Sequence, residues 1–276
     1  MLLTQVMSYY FLTKHIGLPE IIEMRFLMLC TATVFVGAGG YIINDYLDIK
    51  LDLINKPNKV IVGQVISRRW TMFWHLLFNA IALALGLFIG TKVSVAIFIA
   101  AILLWVYSVS LKRRFLVGNL LVSALSAFVI IINFVFDTSL QLELVVAYTL
   151  FAFGLTLLRE IIKDTEDMRG DGKFNCKTIP IILGVRKTKT LLFYMTIAFT
   201  ASVFIYTTFY GSSFAFEQNF ARGGFIFYML LFVVFPLIAM LYFIYTADTT
   251  LDFKRLSSFT KLIMILGLFS MIFWRL

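Results

Sequence analysis

Apolar stretches of about 18 to 25 residues recur along the whole chain, broken by short charged segments, and no other feature restricts its folding as much. Inside hydrocarbon no water is present to satisfy backbone N–H and C=O groups, so such a stretch must close its hydrogen bonds within itself as a helix. Nine spans are expected: Leu2 to Leu12, Met24 to Ile43, Trp70 to Ile89, Val93 to Leu111, Phe115 to Phe136, Leu142 to Leu158, Thr190 to Tyr210, Gly223 to Tyr245 and Phe259 to Phe273. A composition 61% hydrophobic and 14% charged, with mean hydropathy +0.94, agrees with an all-α polytopic membrane protein and not with a soluble domain. The first segment is short. It has no basic leader and no A-x-A site, so it does not read as a cleaved signal peptide but as a clipped start or a helix that begins upstream.

Lys and Arg prefer the cytoplasmic side. With nine spans, nineteen basic residues, from Lys50 through Lys261, fall on one side, and Lys14, Arg25, Lys92, Arg222 and Arg275 on the other. That bias places the N-terminus and the segment after the second span in the cytoplasm. The net charge of +9 is then largely topological, with a secondary attraction for anionic lipid or phosphorylated substrates. Nucleic-acid binding is excluded, because no soluble domain is present to carry it, and no obligatory protein partner is implied. Cys30 falls in an apolar span and Cys176 in a cytoplasmic loop, which argues against a disulfide or a thiolate metal site. His15 and His75 are isolated and read as polar residues near membrane boundaries.

The second span runs into NDYLDIKLD, Asn44 to Asp52. On a helix turning about 100° per residue, Asp45, Asp48 and Asp52 project within a sector of about 60°. Carboxylates crowded in this way raise one another's pKa values, so a cation belongs among them. The loop after the sixth span, REIIKDTEDMRGDGKFNCKTIPIILG, repeats the D-x2-D-x3-D spacing with Asp164, Asp167 and Asp171. Both clusters follow an even-numbered span and emerge on one membrane face, as expected of a single domain over residues 1–276 whose helices 1–4 and 5–8 are a pseudo-repeat followed by helix 9.

Eight of the fifteen acids, Glu160 and Glu166 included, lie in or beside these segments. Carboxylates suit Mg²⁺, which takes one or two protein oxygens and fills its octahedron with water and phosphate, so two facing clusters can hold a diphosphate through bridging ions. The bland alternative is a pair of solvated helix ends whose acids pair with Lys50, Lys56, Lys163 and Arg169. Arg159 and Lys163 flank the second cluster, Lys56 and Lys59 follow the first, and Lys112 and Arg113 end the fourth span after Tyr107. Such cations neutralise a leaving diphosphate, although a cytoplasmic loop also gathers basic residues without function. Among the abundant aromatics, Tyr41, Tyr46, Trp105 and Tyr107 are the candidates to line an isoprenoid cavity and shield an allylic cation.

NDYLDIKLDLINKPNK followed by VIVGQVISRR resembles the first aspartate-rich motif of the UbiA superfamily of intramembrane prenyltransferases, and the Arg159 to Gly184 segment resembles the second. The resemblance covers nearly the whole chain. It implies a UbiA-like helical bundle with a central cavity open to the cytoplasm, in a bacterial or archaeal inner membrane, that moves a prenyl group from a prenyl diphosphate to an acceptor with Mg²⁺. By the same resemblance Asn44, Asp45, Asp48 and Asp52 hold one Mg²⁺ and the diphosphate, and Asp164, Asp167 and Asp171 hold another from across the cavity. Glu160 stands where some relatives carry an acid, Lys112 and Arg113 match a basic element near the diphosphate, and Asn119 follows in a similar stretch. The runs I-N-K-P-N-K, R-E-I-x-K-D-x-E-D-x-x-G-D and K-T-I-P-I-x-L-G are most similar to the geranylgeranylglycerol-phosphate geranylgeranyltransferase branch, whose acceptor is a glycerol-phosphate ether lipid. Relatives continue the first motif with R-P-I-P-S-G, where this chain has Lys59-Val60-Ile61-Val62-Gly63, and open the first helix with an Arg-Pro-x-Asn element absent here.

Three rivals share parts of the pattern. An aromatic-acceptor prenyltransferase (hydroxybenzoate, homogentisate or naphthoate) would use the same donor machinery, and a UbiA-type terpene cyclase would need no acceptor. A divalent-cation transporter would gather carboxylates, but it needs polar groups near mid-membrane, whereas these acids cluster at one end.

Overall fold

The computed structural model describes residues 1–13, 23–210 and 219–275. Among them the elements are α1 (Leu2–Leu12), α2 (Met24–Asn55), α3 (Arg68–Ile89), α4 (Thr91–Val109), α5 (Val117–Phe136), α6 (Leu142–Glu166), α7 (Met168–Lys173), α8 (Ile179–Ile205), α9 (Asn219–Met229), α10 (Phe235–Thr246) and α11 (Thr250–Phe269). No strand occurs among the described residues, only the isolated bridges Thr13 to Leu140 and Val62 to Ile66. Lys14 and His15 lie outside the described residues.

Among the described residues eight helical segments are long and apolar enough to cross a membrane, against the nine spans expected from the sequence. The exception is α1, whose 11 residues span only about 16 Å. Its start does not reach the end of the bundle where the acidic segments lie: Met1 packs beside Gly37, halfway along α2. By contrast α2, at 32 residues, is about 48 Å long, so its last turns project beyond a hydrocarbon layer of about 30 Å. Those projecting turns carry Asn44 to Asp52.

Two span starts fall earlier in the structure than the hydropathy suggested. One segment begins at Ile179, not Thr190, because Gly184, at φ +76°, bends a short lead-in against the main helix. The other begins at Thr250, not Phe259: Thr249 and Asp252 form a reciprocal capping box, with Asp252 Oδ2 accepting from Thr249 N at 2.9 Å and Thr249 Oγ1 accepting from Asp252 N at 3.3 Å. Lys254 and Arg255, outside the expected span, are therefore helical, and Lys261, near the expected start, lies well inside α11.

The apolar faces meet in two cores joined along α6. The outer part of α6 (Leu144, Val145, Tyr148) packs with α1, α2, α4 and α5 around Phe26, Leu29 and Ile130. The inner part (Leu155, Leu158, Ile161, Ile162) packs with α8, α9, α10 and α11 around Phe225, Leu237 and Ile263. Because α6 belongs to both cores, its C-terminal end is fixed in place beside the end of α2. His75 is buried in the α2–α3 interface, with Nδ1 2.9 Å from the Gly39 carbonyl oxygen and Asn79 beside it, a satisfied core histidine and not a ligand.

Candidate active site

The first acidic segment owes its geometry to one uninterrupted helix. Asn44, Asp45, Asp48 and Asp52 all belong to α2, and Asp48 is 7% exposed. A buried carboxylate needs a partner, which comes from the turn Leu111–Arg113 between α4 and α5. Lys112 Nζ pairs with Asp48 and donates to Asn44 Oδ1 at 3.2 Å. That turn is held from two sides. A Cβ on Gly118 would lie 2.7 Å from Lys112 Cα and 2.8 Å from the Leu111 carbonyl oxygen, so only glycine lets α5 approach this closely. Lys177 N donates to the Arg113 carbonyl oxygen at 2.8 Å.

The second segment has the same spacing on a broken backbone. Asp164 lies in the last turn of α6, Asp167 follows its end at φ −91°, ψ 5°, and Asp171 sits in the short α7. Each is held by a different neighbour. Asn119 Nδ2 donates to Asp164 at 2.8 Å, Lys56 Nζ is 2.6 Å from Asp167 Oδ2, and Thr178 Oγ1 donates to Asp171 at 3.4 Å.

Asn55, the last residue of α2, fastens the two segments together. Its Nδ2 donates to the Asp167 carbonyl oxygen at 3.0 Å, and its Oδ1 accepts from Gly170 N at 2.8 Å. A Cβ on Gly170 would fall 2.5 Å from Asn55 Nδ2, so this approach also requires glycine.

All six aspartates line one cavity of about 390 Å³, with Asn44, Lys56, Tyr107, Lys112, Arg113, Glu160 and Lys163 on its walls. Seven carboxylates face four cationic side chains there, a balance of −3. Burial, and after it the neighbouring Asp167 charge, pushes Asp171 up to about 6. Burial pulls the Lys56 ammonium down, but its bond to Asp167 and the surrounding carboxylates outweigh this and hold it above its ordinary value. Burial, then Asp171, raises the Cys176 thiol.

No three carboxylate, histidine or cysteine side chains converge on one point among the described residues. An all-protein metal cage is therefore not formed. A net-negative donor set dominated by carboxylate oxygens, as here, fits a hard cation whose shell is completed by water and phosphate oxygens, the way Mg²⁺ is ordinarily bound.

Two expected site residues stand apart from this cavity. Asn119 reaches it only through Asp164. Arg159 instead lines a second, mainly apolar cavity of about 490 Å³, which shares Tyr41, Asn44, Tyr107, Glu160 and Lys163 with the first. Of the four aromatic candidates, Tyr41 and Tyr107 line both cavities, while Tyr46 and Trp105 line neither, Trp105 being exposed. Sequence reasoning passed over Asn55, Gly118, Gly170 and Thr178, and Val60 to Val62, noted there only as a departure from the family pattern, form an apolar rim of the cavity. Asn55 three residues after Asp52, a glycine just after the Lys112–Arg113 pair and another just before Asp171 were the available signals.

With that geometry in place, the chain belongs to the UbiA prenyltransferase family, whose family profile matches residues 2–217. It is an integral membrane protein. A Methanosphaera stadtmanae protein named digeranylgeranylglyceryl phosphate synthase is 34% identical over 166 residues, so that the match spans 60% of each chain. A protein of the same name from Thermococcus gammatolerans is 33% identical over 191 residues, 69% of this chain and 68% of that one. Among solved structures, one described as giving insights into the biosynthesis of digeranylgeranylglyceryl phosphate synthase in membranes is 21% identical, with a TM-score of 0.68, covering 100% of this chain and 93% of its own. A UbiA homolog from Archaeoglobus fulgidus bound to DMAPP and Mg²⁺ is 17% identical, with a TM-score of 0.62, covering 98% and 94%. At those identities the likeness to the solved structures is one of fold.

Proposed function

We propose that this chain transfers a geranylgeranyl group from its diphosphate to the free hydroxyl of a glycerol-phosphate prenyl ether, at the cytoplasmic end of the bundle. The observation that carries the reading is that both aspartate triplets line one cavity, which shares Tyr41, Asn44 and Tyr107 with an apolar cavity running alongside α2. That second cavity reaches Thr33, about 16 Å along α2 from Asn44, and so offers a dry bed for an isoprenoid tail. The acceptor class follows the names of the relatives in Methanosphaera stadtmanae and Thermococcus gammatolerans.

In this reading Asn44, Asp45, Asp48 and Asp52 hold one Mg²⁺ and Asp164, Asp167 and Asp171 a second. When bound, these ions would draw charge from the diphosphate as the C1–O bond lengthens. The chain supplies the rest. Lys56, Lys112 and Arg113 neutralise charge that gathers on the departing diphosphate. Tyr107 and, more weakly, the 72% exposed Tyr41, at the junction of the cavities, stabilise positive charge on the prenyl carbons, by about 1 to 2 kcal/mol where the ring is desolvated and less where it is exposed. The apolar walls exclude water, which would otherwise capture the cation. The acceptor oxygen attacks C1, the C1–O bond to diphosphate breaks, and one of the six carboxylates takes the hydroxyl proton late in the reaction.

The test is incubation of the purified, reconstituted chain with geranylgeranyl diphosphate, Mg²⁺ and a panel of acceptors. The expected product is the ether formed on a prenylated glyceryl phosphate. Product formed only on hydroxybenzoate, homogentisate or naphthoate, or formed with no acceptor at all, contradicts the proposal.

A further inference from the structure

Lys261 stands eleven residues into α11, about 16 Å beyond Thr250, within a segment apolar enough to cross a membrane. An ionisable side chain within such a segment is costly unless it serves a ligand or a partner. Yet among the described residues Lys261 has no ion pair or hydrogen bond. It lines the apolar cavity, and it is also exposed at the bundle surface, where a lipid would enter from the side.

Among the helices packed against α11 is α6, and from it Arg159 lines the same cavity. One Arg159 nitrogen, Nη1, is engaged by Glu160 at 3.0 Å, but Nε is buried with no partner. A buried donor without an acceptor is destabilising, because it has given up water and gained nothing in return. This wall of the cavity therefore carries more cationic donors than its one carboxylate, Glu160, engages.

Charge separates the two cavities further. The aspartate-lined cavity has a balance of −3 and calls for cations. In the apolar cavity Arg159, Lys163 and Lys261 face one carboxylate, Glu160, a balance of +2. Neither Arg159 nor Lys261 lines the aspartate cavity, so they are not part of the donor diphosphate cradle.

We infer that Arg159 and Lys261, assisted by Lys163, form a separate anion site that holds the phosphate monoester of the acceptor lipid. A phosphate monoester carries about −1.5 to −2 charges at neutral pH and so matches the balance of +2. Arg159 supplies directed N–H donors and Lys261 a mobile point charge. Glu160 and Lys163, common to both cavities, set this phosphate beside the junction at which the donor's C1 is exposed, with the two phosphorylated groups held on different counter-ions. The inference rests on the glyceryl phosphate reading above for its substrate, but not for the anion site itself.

The experiment uses the full chain in zwitterionic nanodiscs. Lys261→Met should raise KM for the phosphorylated glyceryl ether at least about tenfold, ~1.4 kcal/mol, with the donor KM changed less than about twofold, and Lys261→Arg should restore it. The same ether lacking its phosphate should be used equally poorly by both proteins. A Lys261→Met variant that alters kcat alone, or both KM values alike, overturns the inference. A second arm needs no turnover. A saturated-chain glyceryl phosphate monoester should raise the Tm of the wild-type chain and not that of Lys261→Met, whereas the matching diol and a phosphodiester bilayer lipid should raise neither. Equal stabilisation of both proteins by the monoester, or stabilisation of the wild type by the phosphodiester to the same extent, overturns the site. Binding through Lys261 in a chain that prenylates only aromatic acceptors would overturn the acceptor reading and uphold the anion site.

Discussion

The two acidic segments share a spacing but not a scaffold. Asp45, Asp48 and Asp52 lie on one unbroken helix, whose rise and twist alone align their carboxylates. Asp164, Asp167 and Asp171 are divided among a helix end, a turn and a six-residue helix, and face the cavity only because Asn119, Lys56, Thr178 and Asn55 hold the backbone and side chains there. One triplet is encoded locally. The other depends on residues more than forty positions away in sequence for two of its three aspartates. Local spacing therefore marks a site, while tertiary clamps decide whether it forms.

That contrast orders the expected effects of substitution. The largest should come from the carboxylates themselves: Asp48→Ala and Asp167→Ala should each lower initial transfer rates by ~10³-fold at saturating Mg²⁺, the scale of losing a principal electrostatic element. Both variants should keep the elution profile of the folded chain. Retained turnover in either would break the symmetry claimed for the two segments.

The clamps come next. Gly170→Ala forces Asn55 aside, and Asn55→Ala removes both of its bonds, so each should weaken Mg²⁺ dependence about 10- to 100-fold, as loss of supporting contacts around a metal site does. The half-saturating Mg²⁺ concentration measures this. No single clamp of that kind supports the first triplet, so the nearest equivalent, Gly118→Ala, acts on the turn that carries Lys112. It should cost about 1 to 3 kcal/mol of stability, the usual range for overpacking, read as a lower Tm in the absence of donor.

The smallest effect is one of pH. Asp171 is raised to about 6 in the fold, from an ordinary value of about 3.9. A carboxyl with a raised folded-state pKa stabilises the metal-free protein below its ordinary value and loses that contribution as pH rises through about 6. Mg²⁺ acts in the opposite direction, because protons compete for the same oxygens and its affinity falls below about pH 6. Melting in chelator between pH 4 and 7 should show this component, and Asp171→Asn should remove it.

Much of this was legible in the sequence. The apolar runs gave the helical bundle, because backbone in hydrocarbon has few alternatives, and two D-x2-D-x3-D segments identified the cavity walls. The illegible parts are those settled by distance or by capping. Nothing near Gly170 announces that Asn55 occupies its Cβ position. Hydropathy alone puts Lys261 near the start of a span at Phe259, whereas the Thr249–Asp252 capping box starts α11 at Thr250 and leaves Lys261 eleven residues beyond it. Tyr46 and Trp105 have the right chemistry and the wrong face, which hydropathy alone does not distinguish.

Both triplets are expected to grip a single diphosphate. Equilibrium binding of a non-hydrolysable geranylgeranyl diphosphate analogue, with Mg²⁺, to the wild-type chain, Asp48→Ala, Asp167→Ala and the double variant tests it most directly. Two halves of one grip should be strongly non-additive, each single variant losing about a hundredfold and the double variant little more. Losses that simply multiply, or full affinity in Asp167→Ala, would show two independent sites and contradict the account.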